Sequence, residues 1–210
     1  MTVVTKRSSM TFFSDPSDLM SHRVRVVLFE KGVTVEVIDC DPENVPEEVL
    51  ELNPYGKLPT LVDRDLSLFE PNVMMEYLDE RFPHPPLLPV YPVARANSRQ
   101  MITRIDREWT ALARVIAKEK TGKRVDTARK ALRDSIIATN GIFEEKPFFM
   151  SDDFSLVDCA VAPILWRSDM LELDLPAKST VAIRDYCERI FAREGFQLSL
   201  SELEREMRLG

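Results

Sequence analysis

The chain has 210 residues, 44% of them apolar and 30% charged, with a formal net charge of −7. This is the composition of a globular protein, long enough for one large domain or two smaller ones sharing an interface, and it excludes a disordered chain. The acidic balance argues against tight nonspecific DNA binding, and Cys40, Cys159 and Cys187 lack the paired spacing of a disulfide framework or metal cluster. No apolar run reaches membrane-span length and no signal-like apolar region follows the start, so a cytoplasmic protein is expected.

Met10 to Phe13 reads as a short apolar strand, and Ser14-Asp15-Pro16-Ser17-Asp18 as a loop dense in turn formers. Ser21 then precedes HRVRVVLFEKG, a helix with Val24, Val27 and Leu28 on one face, Gly32 as its stop and Lys31 suited to the negative dipole end. Val33, Val35 and Val37 alternate with Thr34, Glu36 and Ile38, a strand expected parallel to the first through a right-handed crossover. Pro46-Glu47-Glu48-Val49-Leu50 opens a short helix that ends near Asn53-Pro54.

The stretch from Gly56 to Pro86 organises the first half. Thr60 to Val62 and Leu66 to Phe69 are two apolar runs joined by Asp63-Arg64-Asp65, a turn short enough to demand an antiparallel hairpin. Val73, Met74, Tyr77 and Leu78 then fall at helical spacing, and Pro83, Pro85 and Pro86 stop the helix, with His84 held between stiff neighbours. The sum is βαβ, helix, ββα, a thioredoxin-like domain with a four-stranded mixed sheet. Leu58-Pro59, just before the third strand, is a candidate for a cis bond, while a trans turn proline is the commoner case.

From Val90 the pattern becomes helical. Pro92 fits a first helical position, and Met101, Ile105, Trp109, Leu112 and Ile116 mark a long amphipathic helix. After a break at Thr121-Gly122, Val125, Ala128, Leu132 and Ile136 mark a second, expected to end at Asn140-Gly141. Ser155-Leu156-Val157-Asp158 is a capping box with Asp for the usual Glu, and Phe154 and Cys159 stand where a hydrophobic staple would close. A buried helix follows, then one carrying Val181, Ile183, Cys187, Ile190 and Phe191, and a mostly charged one from Ser199 to Arg208. The domains are therefore expected at 1–86, thioredoxin-like, and 87–210, all α.

SHRVRVVLFEKG, NPYGKLPTLVD and FSLVDCAVAPILW together resemble the soluble glutathione S-transferase fold across nearly the whole chain. YLDERFPHPPLLPVYPVARA, FSLVDC and the terminal EREMRLG are similar to the stringent starvation protein A family, the RNA polymerase-associated members of that superfamily. In the enzymes, a Tyr at the end of the first strand, or a Ser or Cys at the start of the first helix, hydrogen-bonds the glutathione sulfur. Here Phe13 stands near the Tyr region and Asp18, Leu19 and Met20 at the Ser or Cys region, and none donates in that way at neutral pH. Ser14, Ser17 and Ser21 are nearby but read as turn and cap serines. The enzymes also hold the glutamyl carboxylate with Glu-Ser after the fourth strand, where this chain has Glu70-Pro71. Leu58, Pro59 and Glu70 are thus vestigial glutathione-site positions, and no cofactor is expected.

The resemblance implies a starvation and stress-response transcription regulator that is not a transferase. It would contact the RNA polymerase holoenzyme through Pro83, His84, Pro85, Pro86, Leu87 and Tyr91, with no sequence-specific nucleic-acid binding of its own and no membrane role. A proline-stiffened segment costs little entropy to immobilise and Tyr is a frequent interface anchor, although from the residues alone the segment also reads as a linker. A homodimer is expected, with Met74 and Met75 and the long helix from Val93 as its apolar surface. The competing functional reading is a glutathione-dependent transferase or reductase. His22 and His84, the only histidines, show no acid or cysteine cluster beside them in sequence, so no catalytic base and no metal site is expected.

Overall fold

The computed structural model describes residues 10–208. The sheet is built from β1 (Met10–Ser14), β2 (Val35–Asp39), β3 (Thr60–Asp63) and β4 (Leu66–Leu68), in the spatial order β2-β1-β3-β4. β2 runs parallel to β1, with Phe12 opposite Val37, and β3 runs antiparallel to β1 and β4. The hairpin needs only Arg64-Asp65 between its strands, and Arg64 adopts φ 58° to close it.

Between the strands lie α1 (Leu19–Glu30) and α2 (Glu47–Leu52), and α3 (Pro71–Arg81) follows β4. α1 begins two residues before the expected Ser21, because Asp18 accepts the N–H groups of Met20 and Ser21 at 2.8 and 2.9 Å. It is also far from one-sided: every residue from Leu19 to Leu28 is buried, since α1 packs on α3 and on helices of the second half. The bonds Leu58-Pro59 and His84-Pro85 are both cis.

The second half is all helical. α4 (Pro92–Ile105), a π-helical turn (Asp106–Thr110) and α5 (Ala111–Glu119) form the long rod expected from the spacing, and α6 (Lys123–Ala138) returns along it. α6 ends at Ala138, beside the expected Asn140-Gly141, but a new helix the sequence reading did not give, α7 (Asn140–Glu145), starts at once, with Asn140 Oδ1 accepting the Ile183 N–H at 3.3 Å. α8 (Leu156–Trp166) is buried along its entire length, the central post of this half. α9 (Val181–Phe191) lies where expected. The charged helix expected over 199–208 is the shorter α11 (Glu202–Glu206), and a further helix that the sequence reading did not give, α10 (Glu194–Ser199), ends where it was expected to start, with Leu200-Ser201 between the two. Leu209 and Gly210, the end of the EREMRLG block, lie outside the described residues. Among those described, no helix is long and apolar enough to cross a membrane.

Candidate functional site

At the end of β1, where the transferases activate sulfur, the hydroxyls are already used. Ser14 is buried and bonded to the Arg25 guanidinium, Ser21 accepts the Asp15 N–H at 3.1 Å, and Ser17 bonds the Asp15 carboxylate at 2.8 Å. Leu19 and Met20 are buried in the first turn of α1 and Phe13 lies in the core. Across the gap, Leu58 is half-buried, Pro59 is buried, and Glu70 is exposed as the N-cap of α3 without a side-chain cap bond. Pro71 fills the first helical position, so it offers neither a hydroxyl nor an N–H to a carboxylate. No cysteine compensates: burial pushes the Cys40 and Cys159 thiols up and the Cys187 thiol up to about 12, away from thiolate chemistry.

Behind this surface lies a feature that sequence reading missed. Arg23, fully buried in α1, donates to Asp106 at 2.6 Å and to Thr110 at 3.1 Å, and Asn72 of α3 donates to the other Asp106 oxygen at 2.7 Å. The π-helical turn places Asp106 on this arginine, so α1, α3 and the long rod meet in one charge-assisted cluster. A charged residue inside an apolar helical run was its only sequence signal.

The proline segment is held from below. Asp79 of α3, itself buried, accepts the N–H groups of Leu87 and Leu88 at 2.8 and 3.1 Å and the Lys31 ammonium at 2.6 Å. Lys31 also donates to the Pro85 carbonyl, so it is a strut for the segment and not only a dipole partner. The Leu87 carbonyl accepts the Leu156 N–H at 2.8 Å, tying the segment to the start of α8. Pro83, His84, Pro85 and Pro86 remain exposed, and Tyr91, which caps α4, is 79% exposed. Leu87 corrects the sequence expectation: its side chain is buried in the core, so it fastens the segment and presents nothing outward. Beneath Pro85 and Pro86 opens a cleft of about 380 Å³, walled by Phe148, Phe154 and Arg193. The Arg193 guanidinium lies 4.1 Å from the Phe154 ring centroid and is bidentate to Glu30.

Met74 and Met75 are also corrected. Both are fully buried within the chain, and the exposed large apolar side chains of α3 and α4 are Val73 and Val93.

His22, which lacked a visible acid in sequence, has one in space. Glu204 of α11 lies 3.3 Å from its Nδ1, but that carboxylate already takes Arg25 with both oxygens at 2.6 Å and also Arg167. Arg167 donates to Nδ1 at 2.9 Å, which makes Nδ1 an acceptor and leaves Nε2–H to face Ser199 Oγ at 3.2 Å. The imidazole is therefore neutral. Burial, then Arg167 and Arg25, hold His22 well below the usual imidazole range. Buried and saturated, it is a structural histidine. No group of three or more metal-ligating side chains occurs among the described residues.

Known proteins agree with this architecture. The family described as glutathione S-transferase, N-terminal domain, matches residues 8–80, and the C-terminal domain family matches 102–194. A structure of a bacterial transferase, BphK in a ternary complex, superposes with a TM-score of 0.82 at 20% identity, covering 93% of this chain and 99% of that one. A tau class transferase from mango gives a TM-score of 0.81 at 21% identity over 95% of this chain and 96% of the other. The sequence relatives are much nearer. The stringent starvation protein A homolog of Coxiella burnetii is 52% identical over 97% of both chains. That of Pasteurella multocida is 52% identical over 93% of this chain and 92% of its own. The chain therefore belongs to the stringent starvation protein A family, built on the glutathione S-transferase fold.

Proposed function

We propose that this protein is an RNA polymerase-associated regulator of transcription in the starvation and stress response, that it acts through protein contacts in the cytoplasm, and that it does not conjugate glutathione. The observation that carries the reading is the proline segment. Pro83 to Pro86 stand exposed on a backbone fastened by Asp79, Lys31 and Leu156, so little entropy is lost when a partner closes on them. A linker needs no such fastening. The cleft beneath Pro85 and Pro86 offers aromatic walls and a guanidinium to an incoming side chain, and Tyr91 is the exposed aromatic beside the segment.

The test replaces Pro83, His84 and Pro85 by alanine and measures both polymerase pull-down and thermal unfolding. Loss of association with a melting temperature within a few degrees of the parent supports the interface, because exposed substitutions usually change stability by within about 0.5 kcal/mol. Retained association overturns it. Tyr91→Ala should weaken association by more than about 1 kcal/mol if the ring is near the contact centre.

The transferase reading draws on the fold and on Leu58, Pro59 and Glu70. It demands a hydroxyl or thiol free to meet a sulfur, and Ser14 and Ser21 are engaged. Retention on immobilised glutathione, with turnover of a standard electrophile, would restore it. A homodimer is proposed with Val73 and Val93 in place of the buried methionines, in a twofold isologous interface. Light scattering that returns the monomer mass at micromolar concentration removes this proposal.

A further inference from the structure

The α5–α6 hairpin is charged against the trend of the chain. Residues 114–133 hold eight lysines and arginines against Glu119 and Asp126, a local charge of +6 in a protein of −7, which leaves −13 elsewhere. The arginines here mostly have carboxylates: Arg124 meets Glu119 at 2.7 Å, and Arg129 meets Glu172 at 2.9 Å. The lysines do not. Lys118, Lys120, Lys123 and Lys130 are exposed and have no ion-pair partner among the described residues.

Between the two helices runs an open groove of about 610 Å³. Leu112, Val115, Thr127, Ala128 and Ala131 form its floor, and Lys123 and Arg124 close its end. The hairpin already has a core: Ala113 and Ile116 of α5 and Val125, Leu132 and Ile136 of α6 are buried. The groove is a second, outward apolar strip. The small side chains of α6 lower its floor enough for another backbone to approach, and Gly122, at φ 117°, lets the turn bring the cationic end round.

We propose that this groove docks an acidic amphipathic helix of a partner protein, with the partner's apolar stripe on the floor and its carboxylates facing Lys120, Lys123 and Lys130. Charge complementarity selects an acidic partner, and a concave apolar floor selects a helix with a stripe over a polyanion such as duplex DNA, whose backbone needs cations but no apolar trough. The proposal does not depend on the polymerase reading, because neither the proline segment nor Tyr91 lines the groove.

The probe is a fluorescein-labelled amphipathic peptide of roughly 16 residues, with leucines at helical spacing and glutamates on the opposite face, titrated by anisotropy against the full chain. A peptide of the same composition with its leucines scattered, and a labelled duplex of about 20 base pairs, run beside it. The amphipathic peptide should bind at least about tenfold tighter than either control. The double variant Lys120→Glu/Lys123→Glu should weaken it by about tenfold or more, and added salt should do the same to the parent. Ala131→Trp, which fills the floor without changing charge, should weaken the peptide by a similar factor. All three positions are exposed, and melting curves verify that the variants fold. Four results overturn the proposal: no binding of the amphipathic peptide, equal affinity for the scattered peptide, equal or tighter binding of the duplex, or indifference to Ala131→Trp.

Discussion

Helix α8 is gripped at each end by a capping box, and the two boxes use their carboxylates differently. At its start, Ser155 accepts the Val157 N–H at 3.2 Å and Asp158 accepts the Ser155 N–H at 2.8 Å. Near its end, Trp166 Nε1 donates to the carbonyl of Glu204, the acidic member of the box on α11, where Ser201 accepts the Glu204 N–H at 3.1 Å and returns its own to the carboxylate at 3.0 Å. Both acids are buried. Asp158 spends its remaining capacity on neutral donors, the Phe149 N–H at 2.9 Å and the Tyr186 hydroxyl at 2.8 Å. Glu204 spends its capacity on Arg25 and Arg167. One box stitches the helical half to itself, and the other, through Arg25 of α1, binds the thioredoxin-like half to it. The same local motif thus serves a local knot in one place and an interdomain one in the other.

The two boxes differ most at Glu204. Glu204→Ala leaves two buried guanidiniums without a counter-charge and should cost about 3–5 kcal/mol, read from urea midpoints. Glu204→Gln should keep most of that loss, because the amide restores an acceptor but no charge. Asp158→Ala should cost about 2–4 kcal/mol, more than a cap alone, since Tyr186 and the Phe149 N–H lose their acceptor in a buried site. Asp158→Asn should cost clearly less than Glu204→Gln. Burial pushes the Asp158 carboxyl above the usual carboxylate range, so a neutral group there relieves a desolvation penalty, whereas at 204 it creates one. Equal losses for the two amides would erase the distinction.

The two boxes also differ in how legible they are. Ser-Leu-Val-Asp before an apolar run is a helix start that a reader finds from four residues, and the structure returns it. Ser-Glu-Leu-Glu at 201–204 has the same form, but a charged stretch beginning at Ser199 reads as one solvated helix and hides the boundary. The form could have been found; the partners could not. Arg25 and Glu204 are 179 residues apart, and no periodicity links a helix in the first domain to the end of the chain. The succession of elements along the chain, the hairpin and the long rod were readable because each rests on local spacing. The burial of Met74, Met75 and Leu87 was not, because it depends on what packs over them: α3 carries Val73, Met74 and Met75 side by side, and only the packing of its neighbours decides that Val73 is exposed and the two methionines are not. At the candidate site, the exposure of Pro83 to Pro86 follows from their chemistry, but their fastening by Asp79 and Lys31 is a long-range fact.

A smaller effect separates the boxes by pH. His22 stands against the Glu204 cluster, facing Arg167 and Arg25 as cations, Glu204 as the anion and Ser199 as a neutral partner. Its folded-state affinity for a proton is below the unfolded one, so the unfolded chain binds more protons as the pH falls. The stability this contributes is complete above the unfolded value of about 6.5 and is lost progressively below it. Denaturant midpoints should therefore fall between pH 7.5 and pH 5.5, and His22→Asn, though less stable at pH 7.5, should have a flatter profile over that window. An unchanged slope in the variant would place the acid sensitivity elsewhere. The raised Asp158 works in the opposite sense, favouring the fold as its carboxyl takes up a proton.

The smallest expected effects belong to the cap hydroxyls. Ser155→Ala should cost about 1 kcal/mol, the usual worth of a cap, because its hydroxyl proton stays inside the box on Asp158 at 3.0 Å. Ser201 Oγ donates instead to the Pro16 carbonyl at 2.6 Å, in the loop that precedes α1, so its loss removes a cap and an interdomain bond together. Ser201→Ala should therefore exceed Ser155→Ala by up to about 1 kcal/mol, the net worth of one hydrogen bond. The double alanine should show additive losses, because the boxes stand at opposite ends of an 11-residue helix, roughly 16 Å apart at 1.5 Å per residue, and share no partner. Within one box, Ser155→Ala with Asp158→Ala should fall short of the sum, since the second change removes a bond that the first has already broken. Strict additivity within the box, or strong coupling between the two boxes, would show that α8 is not held by two independent grips.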